Sequence, residues 1–227
     1  MPPSGTEDEL ARYDRILAVC AHPDDESFGL GAIISRLVGL GRIVDLVCFT
    51  CGERSTLGAG DDLAERRTAE LACAARVLGI GEVALHHHAD GSLTEVAVDD
   101  LVDDIVAALG DGGGTTALLT FDEGGITGHP DHEAATRACV AAGRRLGLAV
   151  YAWAIPGRVA SRLRDEFGAP FVGRDDDDLD VELLVDRRAQ AAATDCHGSQ
   201  LFDNPVPRRR VELQGDLEHL RVLHRPA

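Results

Sequence analysis

Short apolar runs alternate with segments of helical periodicity along the first two-thirds of the chain. The apolar runs predict strands at 15–21, 43–50, 82–86, 116–121 and 148–155. The segments between them predict helices at 27–40, 63–78, 98–109 and 133–146. This alternation is typical of right-handed βαβ units. It therefore predicts an α/β, Rossmann-like fold with a mostly parallel, doubly wound sheet flanked by helices.

The last third of the chain, from about residue 156, has a less regular pattern. Residues 174–186 contain a candidate late strand, 187–197 read as a helix, and the tail 211–224 is ambiguous. A chain of 227 residues is long enough for one sizeable core, and no linker or internal repeat interrupts it. We therefore expect one domain over residues 1–227.

Two of the loops that follow predicted strands share a pattern. HPDD at 22–25 follows the first strand and HPDH at 129–132 follows the fourth, and in each a second ligand type comes three residues after a histidine. Proline suits the first position of a helix, and an i, i+3 pair there projects to one side. Ligands bind at the carboxyl ends of parallel strands. Both turns can therefore face one crevice, although the sequence does not fix the strand order.

The residue types in these turns suit a hydrolytic metal site. A catalytic zinc takes three protein ligands, such as imidazole and carboxylate, and leaves a position for water. Asp24 and Asp25 are neighbours that cannot easily reach the same ion. One can bind the metal while the other takes a proton from a metal-activated water. Zinc suits this donor set, and Fe²⁺ or another divalent ion also fits.

VCAHPDDESFG at 19–29 and GGITGHPDH at 124–132 together resemble the PIG-L/LmbE-type zinc deacetylases, which remove N-acetyl groups from GlcNAc-containing substrates. Further similarity lies in RTAEL at 67–71, DG at 90–91 and HGSQ at 197–200, so the resemblance runs from about residue 16 to residue 200. It implies a metal-dependent amide hydrolase. Such an enzyme would deacetylate a small N-acetylated amino sugar and release acetate and a free amine.

The resemblance implies roles for five residues of the two turns. His22, Asp25 and His132 would bind zinc. Asp24 would be the general base that acts on the water. His129 would stabilise the tetrahedral oxyanion, protonate the leaving amine, or do both.

Four further residues take supporting roles by the same resemblance. Asp131 would orient a metal-bound imidazole from behind, a role that such histidines commonly need filled. Arg67 and Asp90 would contact sugar hydroxyls, and His197 would lie at the substrate site.

Two other functions fit parts of the sequence. A non-catalytic sugar-binding relative would keep the fold, but it typically loses a ligand or the base. A phosphate-ester hydrolase generally needs two metals and more carboxylate ligands. Arg54, Arg66 and Arg67 are the only arginines near the site that could serve phosphate.

The net charge of −17 argues against nucleic-acid binding. All 22 basic residues are arginine, which excludes a P-loop lysine, a Schiff-base lysine and a Ser–Lys dyad. The N-terminus lacks a signal-peptide pattern, and no apolar run approaches the roughly 18 residues of a membrane span. These features predict a cytoplasmic protein. The oligomeric state has no signature in the sequence.

We reject several other candidate metal sites and one candidate thiol nucleophile. Strand alternation prevents the three histidines at 86–88 from all chelating one ion, and we expect polar strand-end residues there, with His88 a candidate for the crevice lining. The acidic run at 175–178 fits no calcium loop, and CFTC at 48–51 has no second pair for a structural zinc. Cys196 beside His197 has no orienting partner for thiol catalysis.

Overall fold

The computed structural model describes residues 9–110 and 114–226. Its strands are β1 (Arg15–Cys20), β2 (Ile43–Thr50), β3 (Val83–His88), β4 (Thr116–Phe121), β5 (Ala149–Ala154), β6 (Val181–Leu184) and β7 (Leu217–His224). They form one sheet in the order β3-β2-β1-β4-β5-β7-β6. Strands β1 to β5 pair in parallel, while β7 is antiparallel to β5 and β6. The predicted α/β fold with a mostly parallel sheet is confirmed.

Helices cover both faces of this sheet. They are α1 (Asp25–Phe28), α2 (Gly31–Gly39), α3 (Leu63–Leu78), α4 (Val98–Leu109), α5 (Gly125–Gly128), α6 (Pro130–Leu146), α7 (Gly157–Phe167), α8 (Arg188–Cys196), α9 (Gly198–Leu201) and α10 (Val206–Gln214). The apolar sides of α4 and α6 pack on one face, and those of α2, α3 and α8 pack on the other. Among the described helices, none combines the length and apolarity needed to cross a membrane. Residues 1–8, on which the signal-peptide prediction partly rests, lie outside the described residues.

The helix boundaries next to the two HPD turns differ from those predicted. The helix predicted at 27–40 is divided into α1 and α2 at Gly29, where a Cβ atom would lie 2.6 Å from the ring of Phe121. Glycine allows the chain to approach that ring. Helix α6 begins at Pro130 instead of residue 133, because the side chain of His129 caps it by accepting the backbone N–H of Asp131.

The last third folds into more regular structure than its sequence suggests. The late strand and the helix are present as β6 and α8, and the ambiguous tail contributes the end of α10 and the strand β7. A disulfide between Cys73 and Cys196 joins α3 to the end of α8. The acidic run at 175–178 is exposed to solvent.

The strand order creates a crevice at one place along the sheet. From β1 the chain proceeds outward through β2 and β3, and from β4 it proceeds in the opposite direction to β5. β1 and β4 are therefore adjacent and parallel at the point where the order reverses. In open α/β sheets ligands bind beyond the carboxyl ends of strands at such a point.

Candidate metal centre and active site

The two HPD turns lie side by side at this crevice. HPDD follows β1 and runs into α1, whose first residue is Asp25. HPDH follows β4 after the single turn α5, and Pro130 is the first residue of α6. Because β1 and β4 are paired, the fold brings two turns together that lie about a hundred residues apart in sequence.

Three ligand-type side chains from these turns lie next to one another in the crevice. Nδ1 of His22 lies 3.2 Å from Nε2 of His132, and that Nε2 lies 3.2 Å from Oδ1 of Asp25. Oδ2 of Asp25 lies 3.8 Å from Nδ1 of His22 and accepts the backbone N–H groups of Ala21 and His22. Atoms at such separations can surround an ion that lies roughly 2 Å from each of them. We call His22, Asp25 and His132 the cavity centre.

In each imidazole of the cavity centre, the nitrogen that faces away from the centre makes a hydrogen bond. Nε2 of His22 donates toward Oδ2 of Asp131 at 3.3 Å, and Nδ1 of His132 donates to the carbonyl of Gly125 at 3.1 Å. The remaining nitrogen of each ring therefore presents its lone pair to the centre, as in metal-bound histidines. Asp131 is itself fixed by two backbone N–H groups of the loop after β3, at 2.7 and 3.1 Å. The donor set and its support thus fit a divalent metal ion.

His129 lies next to the cavity centre. Its ring centroid is 4.8 Å from that of His22 and 5.0 Å from that of His132. Its Nδ1 accepts the backbone N–H of Asp131, so the neutral ring carries its proton on Nε2. Burial and the neighbouring His22 and His132 lower the pKa of His129. A neutral His129 can therefore offer an N–H donor to a ligand in the crevice.

Asp24 lies beside the cavity centre in an unusual backbone conformation. Its φ of 136° is rare for a residue with a side chain. Oδ2 of Asp24 lies 3.2 Å from Nη2 of Arg67. Burial raises the pKa of Asp24 to about 6, against the opposing effect of Arg67. A carboxyl group with a pKa in this range is suited to exchange protons near neutral pH.

Arg67 joins the loops after β1 and β2. Its guanidinium donates to the carbonyl oxygens of Gly52 at 2.8 Å and Pro23 at 2.5 Å, in addition to facing Asp24. Gly52 has φ of 63°, and a Cβ atom there would lie 2.1 Å from this guanidinium, so the approach requires glycine. Although Arg67 lines the cavity, much of its hydrogen-bonding capacity is used to hold Asp24 and the two loops.

Asp90 lies behind His22. Its Oδ1 is 3.1 Å from Nε2 of His22, and its Oδ2 accepts the backbone N–H of Arg54. Burial opposes the ionised form, but His22 and this N–H hold the pKa of Asp90 at about 2. Burial also disfavours a charge on His22, yet Asp131 and Asp90 raise its pKa to about 10. Carboxylates that favour a proton on His22 equally favour a metal cation at the cavity centre.

These residues line a cavity of about 750 Å³. Its polar floor contains the cavity centre together with Asp24, Arg67, Asp90 and His129. Its apolar wall is formed by Phe28, Phe121, Ile126, Trp153 and Phe171. The loop after β2 adds Arg54, Ser55, Thr56 and Leu57. A mixed lining with a few convergent polar groups is typical of small-molecule sites.

The sequence matches the family described as PIG-L, GlcNAc-PI de-N-acetylase, over residues 17–143. That segment is more than half of the 227 residues and contains both HPD turns. The chain belongs to the GlcNAc-PI de-N-acetylase family. The match confirms the resemblance drawn from the two motifs.

Named proteins of this family align with most of this chain. A relative from Kineococcus radiotolerans, named 1D-myo-inositol 2-acetamido-2-deoxy-alpha-D-glucopyranoside deacetylase, is 30% identical over 287 aligned residues. The alignment covers 95% of this chain and 80% of the relative. The similarity therefore extends well beyond the two motifs.

Solved structures share the fold of this family member at low sequence identity. N,N'-diacetylchitobiose deacetylase from Pyrococcus horikoshii superposes with a TM-score of 0.70 at 19% identity, covering 96% of this chain and 86% of that one. GalB, a 4-carboxy-2-hydroxymuconate hydratase from Pseudomonas putida KT2440, superposes with a TM-score of 0.67 at 16% identity, covering 94% and 98%. Because a hydratase has the same fold, the chemistry must be argued from the site residues.

His197 lies beneath the cavity of this family member and does not line it. Its ring is fully buried, with Nε2 2.7 Å from Oε1 of Glu26 and its edge against Phe28. The expected substrate contact by His197 therefore disagrees with the geometry, because protein covers the ring. His197 instead holds Glu26, which accepts the backbone N–H of Asp24 at 3.0 Å.

Glu26 is the site residue that our sequence analysis missed. Its carboxylate is wholly buried and also accepts the hydroxyl of Ser27 at 2.5 Å. The signal was present in the sequence, since Glu26 directly follows HPDD at the start of a predicted apolar helix. A carboxylate there is buried only if it has partners. Glu26 and His197 together support the turn that carries Asp24.

Proposed function

We propose that this protein is a zinc-dependent N-deacetylase that releases acetate from an N-acetylglucosaminide. The observation that carries this proposal is the convergence of the cavity centre beside Asp24, in the floor of a cavity large enough for a small sugar. Membership of a de-N-acetylase family supports removal of an acetyl group from a GlcNAc-type substrate as the class of reaction.

His22, Asp25 and His132 would hold the metal. Two imidazoles and a carboxylate with a free position suit Zn²⁺, and Fe²⁺ or another divalent ion fits the same donors. A bound ion would polarise the acetyl carbonyl and acidify a water molecule. The backbone N–H groups on Asp25 and the hydrogen bonds behind both rings would keep the three donors aligned.

Asp24 would take the proton of the attacking water. Its carboxylate lines the cavity beside Asp25, and Arg67 holds it and favours its ionised form. A positioned base of this kind typically contributes about 10²–10⁴ in rate. His197 is a positioning residue in this proposal, since it acts on the Asp24 turn through Glu26.

His129 would act on the opposite side of the reacting amide. Its Nε2–H would donate to the oxygen that becomes negative when water adds to the acetyl carbon. The C–N bond then breaks, and Asp24 would return the proton taken from water to the leaving nitrogen. Acetate and a free amine are the products.

The proposed substrate is a small N-acetylated amino sugar in the cytoplasm. The GlcNAc-inositol glycoside in the name of the Kineococcus relative is the first compound to test. Arg67 and Asp90 line the cavity and remain the proposed contacts to sugar hydroxyls. The loop that contains Arg54, Ser55 and Thr56 would meet the aglycone, because it forms a wall of the same cavity.

The test is acetate release by protein purified without chelator. We would compare the GlcNAc-inositol glycoside, N,N'-diacetylchitobiose and free GlcNAc, and measure the metal content of wild type and His132→Ala by mass spectrometry. We expect turnover of at least one glycoside, its loss on chelation and its recovery with Zn²⁺. Binding of a glycoside without acetate release, in metal-loaded protein, would instead support a non-catalytic sugar-binding protein.

A further inference from the structure

A second group of ligand-type side chains lies at the edge of the sheet. β3 is an edge strand, and His86 and His88 lie on one side of it with ring centroids 6.0 Å apart and planes 20° apart. His87 faces the other side, where its Nδ1 lies 3.2 Å from Sγ of Cys51. Strand alternation therefore separates one histidine and leaves two side by side. His88 is not among the residues that line the cavity, although it was a candidate for the crevice lining.

Asp104 of α4 supplies a third donor to this pair. Its Oδ2 lies 2.7 Å from Nε2 of His88, and its Oδ1 lies 3.4 Å from Nδ1 of His86. One donor atom of each residue lies within 4.8 Å of the other two. We call His86, His88 and Asp104 the edge cluster. Its donor types are those of the cavity centre, but it shares no residue with it.

The surroundings of the edge cluster leave it accessible and hold its rings in place. The three side chains are 26%, 25% and 25% exposed, so an ion can reach them from solvent. The buried ring of Phe49 packs against both imidazoles, at 6.2 Å from His86 and 6.1 Å from His88.

We propose that the edge cluster is a second metal site, which takes a divalent transition-metal ion such as Zn²⁺. Two imidazole nitrogens and one carboxylate oxygen supply three ligands, and the exposed side leaves a position for water. Ca²⁺ and Mg²⁺ prefer oxygen ligands and are not expected there. The ion would join the edge strand β3 to helix α4.

This site would stabilise structure without taking part in the reaction. It contains none of the residues that we assign to the metal, the base or the oxyanion, and none of its three residues lines the cavity. It nevertheless lies close to the active site along the chain, because Asp90, which contacts His22, follows His88 by two residues. An ion there would fix the strand from which the Asp90 loop begins.

The test is the number of zinc ions bound per chain, measured by native mass spectrometry during titration with ZnCl₂. We expect two for wild type, one for His88→Ala, one for His132→Ala and none for the double variant. His87→Ala is the matched control, because that ring faces the other side of β3, and it should keep both ions. Asp104→Asn, compared with the exposed neighbour Asp103→Asn, repeats the test with a smaller change in shape.

Each outcome separates this site from the proposed catalytic one. One zinc in wild type that is kept in His88→Ala and lost in His132→Ala would overturn the edge site and leave the catalytic proposal standing. One zinc that is lost in His88→Ala and kept in His132→Ala would support the edge site and overturn the metal centre of the proposed deacetylase. Two ions in both His88→Ala and Asp104→Asn would also overturn the edge site.

Discussion

The cavity centre and the edge cluster have the same donors, two histidines and one aspartate, but very different surroundings. In the cavity centre each metal ligand has a further hydrogen-bond partner. Backbone N–H groups donate to Asp25, His22 donates to the Asp131 carboxylate, and His132 donates to the Gly125 carbonyl. In the edge cluster the aspartate contacts both rings, and Nε2 of His86 is buried with no hydrogen-bond partner among the described residues. Partners behind the ligands commonly raise metal affinity. We therefore expect the cavity centre to bind zinc more tightly.

The two clusters also differ in the space that their metal ligands face. The cavity centre faces a cavity of about 750 Å³ that also contains Asp24 and His129. The edge cluster lies on the outside of the sheet, with Phe49 as its apolar wall. An ion at the edge cluster would lack both a base and an enclosed place for a substrate. Two histidines and an aspartate therefore indicate metal binding, but catalysis also needs a base and an enclosed cavity beside the metal.

The largest effect should come from the base. Asp24→Asn keeps the shape of the side chain but removes its ability to take a proton, so acetate release should fall about 10²–10⁴-fold. Zinc content should stay unchanged, since Asp24 is not among the proposed ligands. Asp104→Asn should leave turnover close to that of wild type, because the edge cluster does not line the cavity. Full activity in Asp24→Asn would exclude it as the base.

The next largest effect is on zinc affinity, and it comes from the carboxylate of Asp131 that accepts a hydrogen bond from His22. Asp131→Asn weakens the acceptor that faces Nε2 of His22 at 3.3 Å, so zinc affinity at the cavity centre should fall about 10–100-fold. Competition with a chromophoric chelator would measure it. Zinc at the edge cluster of the same variant serves as the internal control and should be unaffected. Equal weakening at both sites would point to a general loss of structure.

The pH dependence of the reaction should depend on Arg67. Activity requires ionised Asp24, whose pKa is about 6, and a bound cation lowers that value, so activity should fall with acid at or below about pH 6. Arg67 favours the ionised form, and Arg67→Met should therefore move this acid limb to higher pH by about one unit. Arg66→Met is the control, because Arg66 is exposed and pairs with Asp62. If activity of Arg67→Met falls at the same pH as in wild type, the loss of activity with acid reports the protonation of a group other than Asp24.

The sequence predicted what is local and failed where distant segments meet. Each HPD turn places its ligands within three residues, so both halves of the cavity centre could be recognised before the strand order was known. His197 and Glu26 are 171 residues apart, and their contact depends on how α8 packs beside α1. Asp104 reaches His88 only because α4 packs over the strands, which no pattern at 86–88 reveals.

The smallest expected effect comes from removing the aromatic ring that packs against each cluster. Phe121 is stacked on His132, with centroids 5.0 Å apart and planes 11° apart, and Phe49 packs against both rings of the edge cluster. Such a contact is worth about 0.5–1.5 kcal/mol, which corresponds to roughly two- to tenfold in affinity. Phe121→Leu should weaken zinc binding only about twofold, because the Gly125 carbonyl still orients His132.

Phe49→Leu should weaken zinc binding at the edge cluster more, up to about tenfold, because Nε2 of His86 has no hydrogen-bond partner among the described residues and packing must hold that ring. Chelator competition on both variants gives the two affinities, and thermal unfolding checks that each variant is folded. A larger loss in Phe121→Leu than in Phe49→Leu would contradict this account. In that case the rings of the cavity centre would be held mainly by packing, and the hydrogen bonds behind them would not explain the difference between the two clusters.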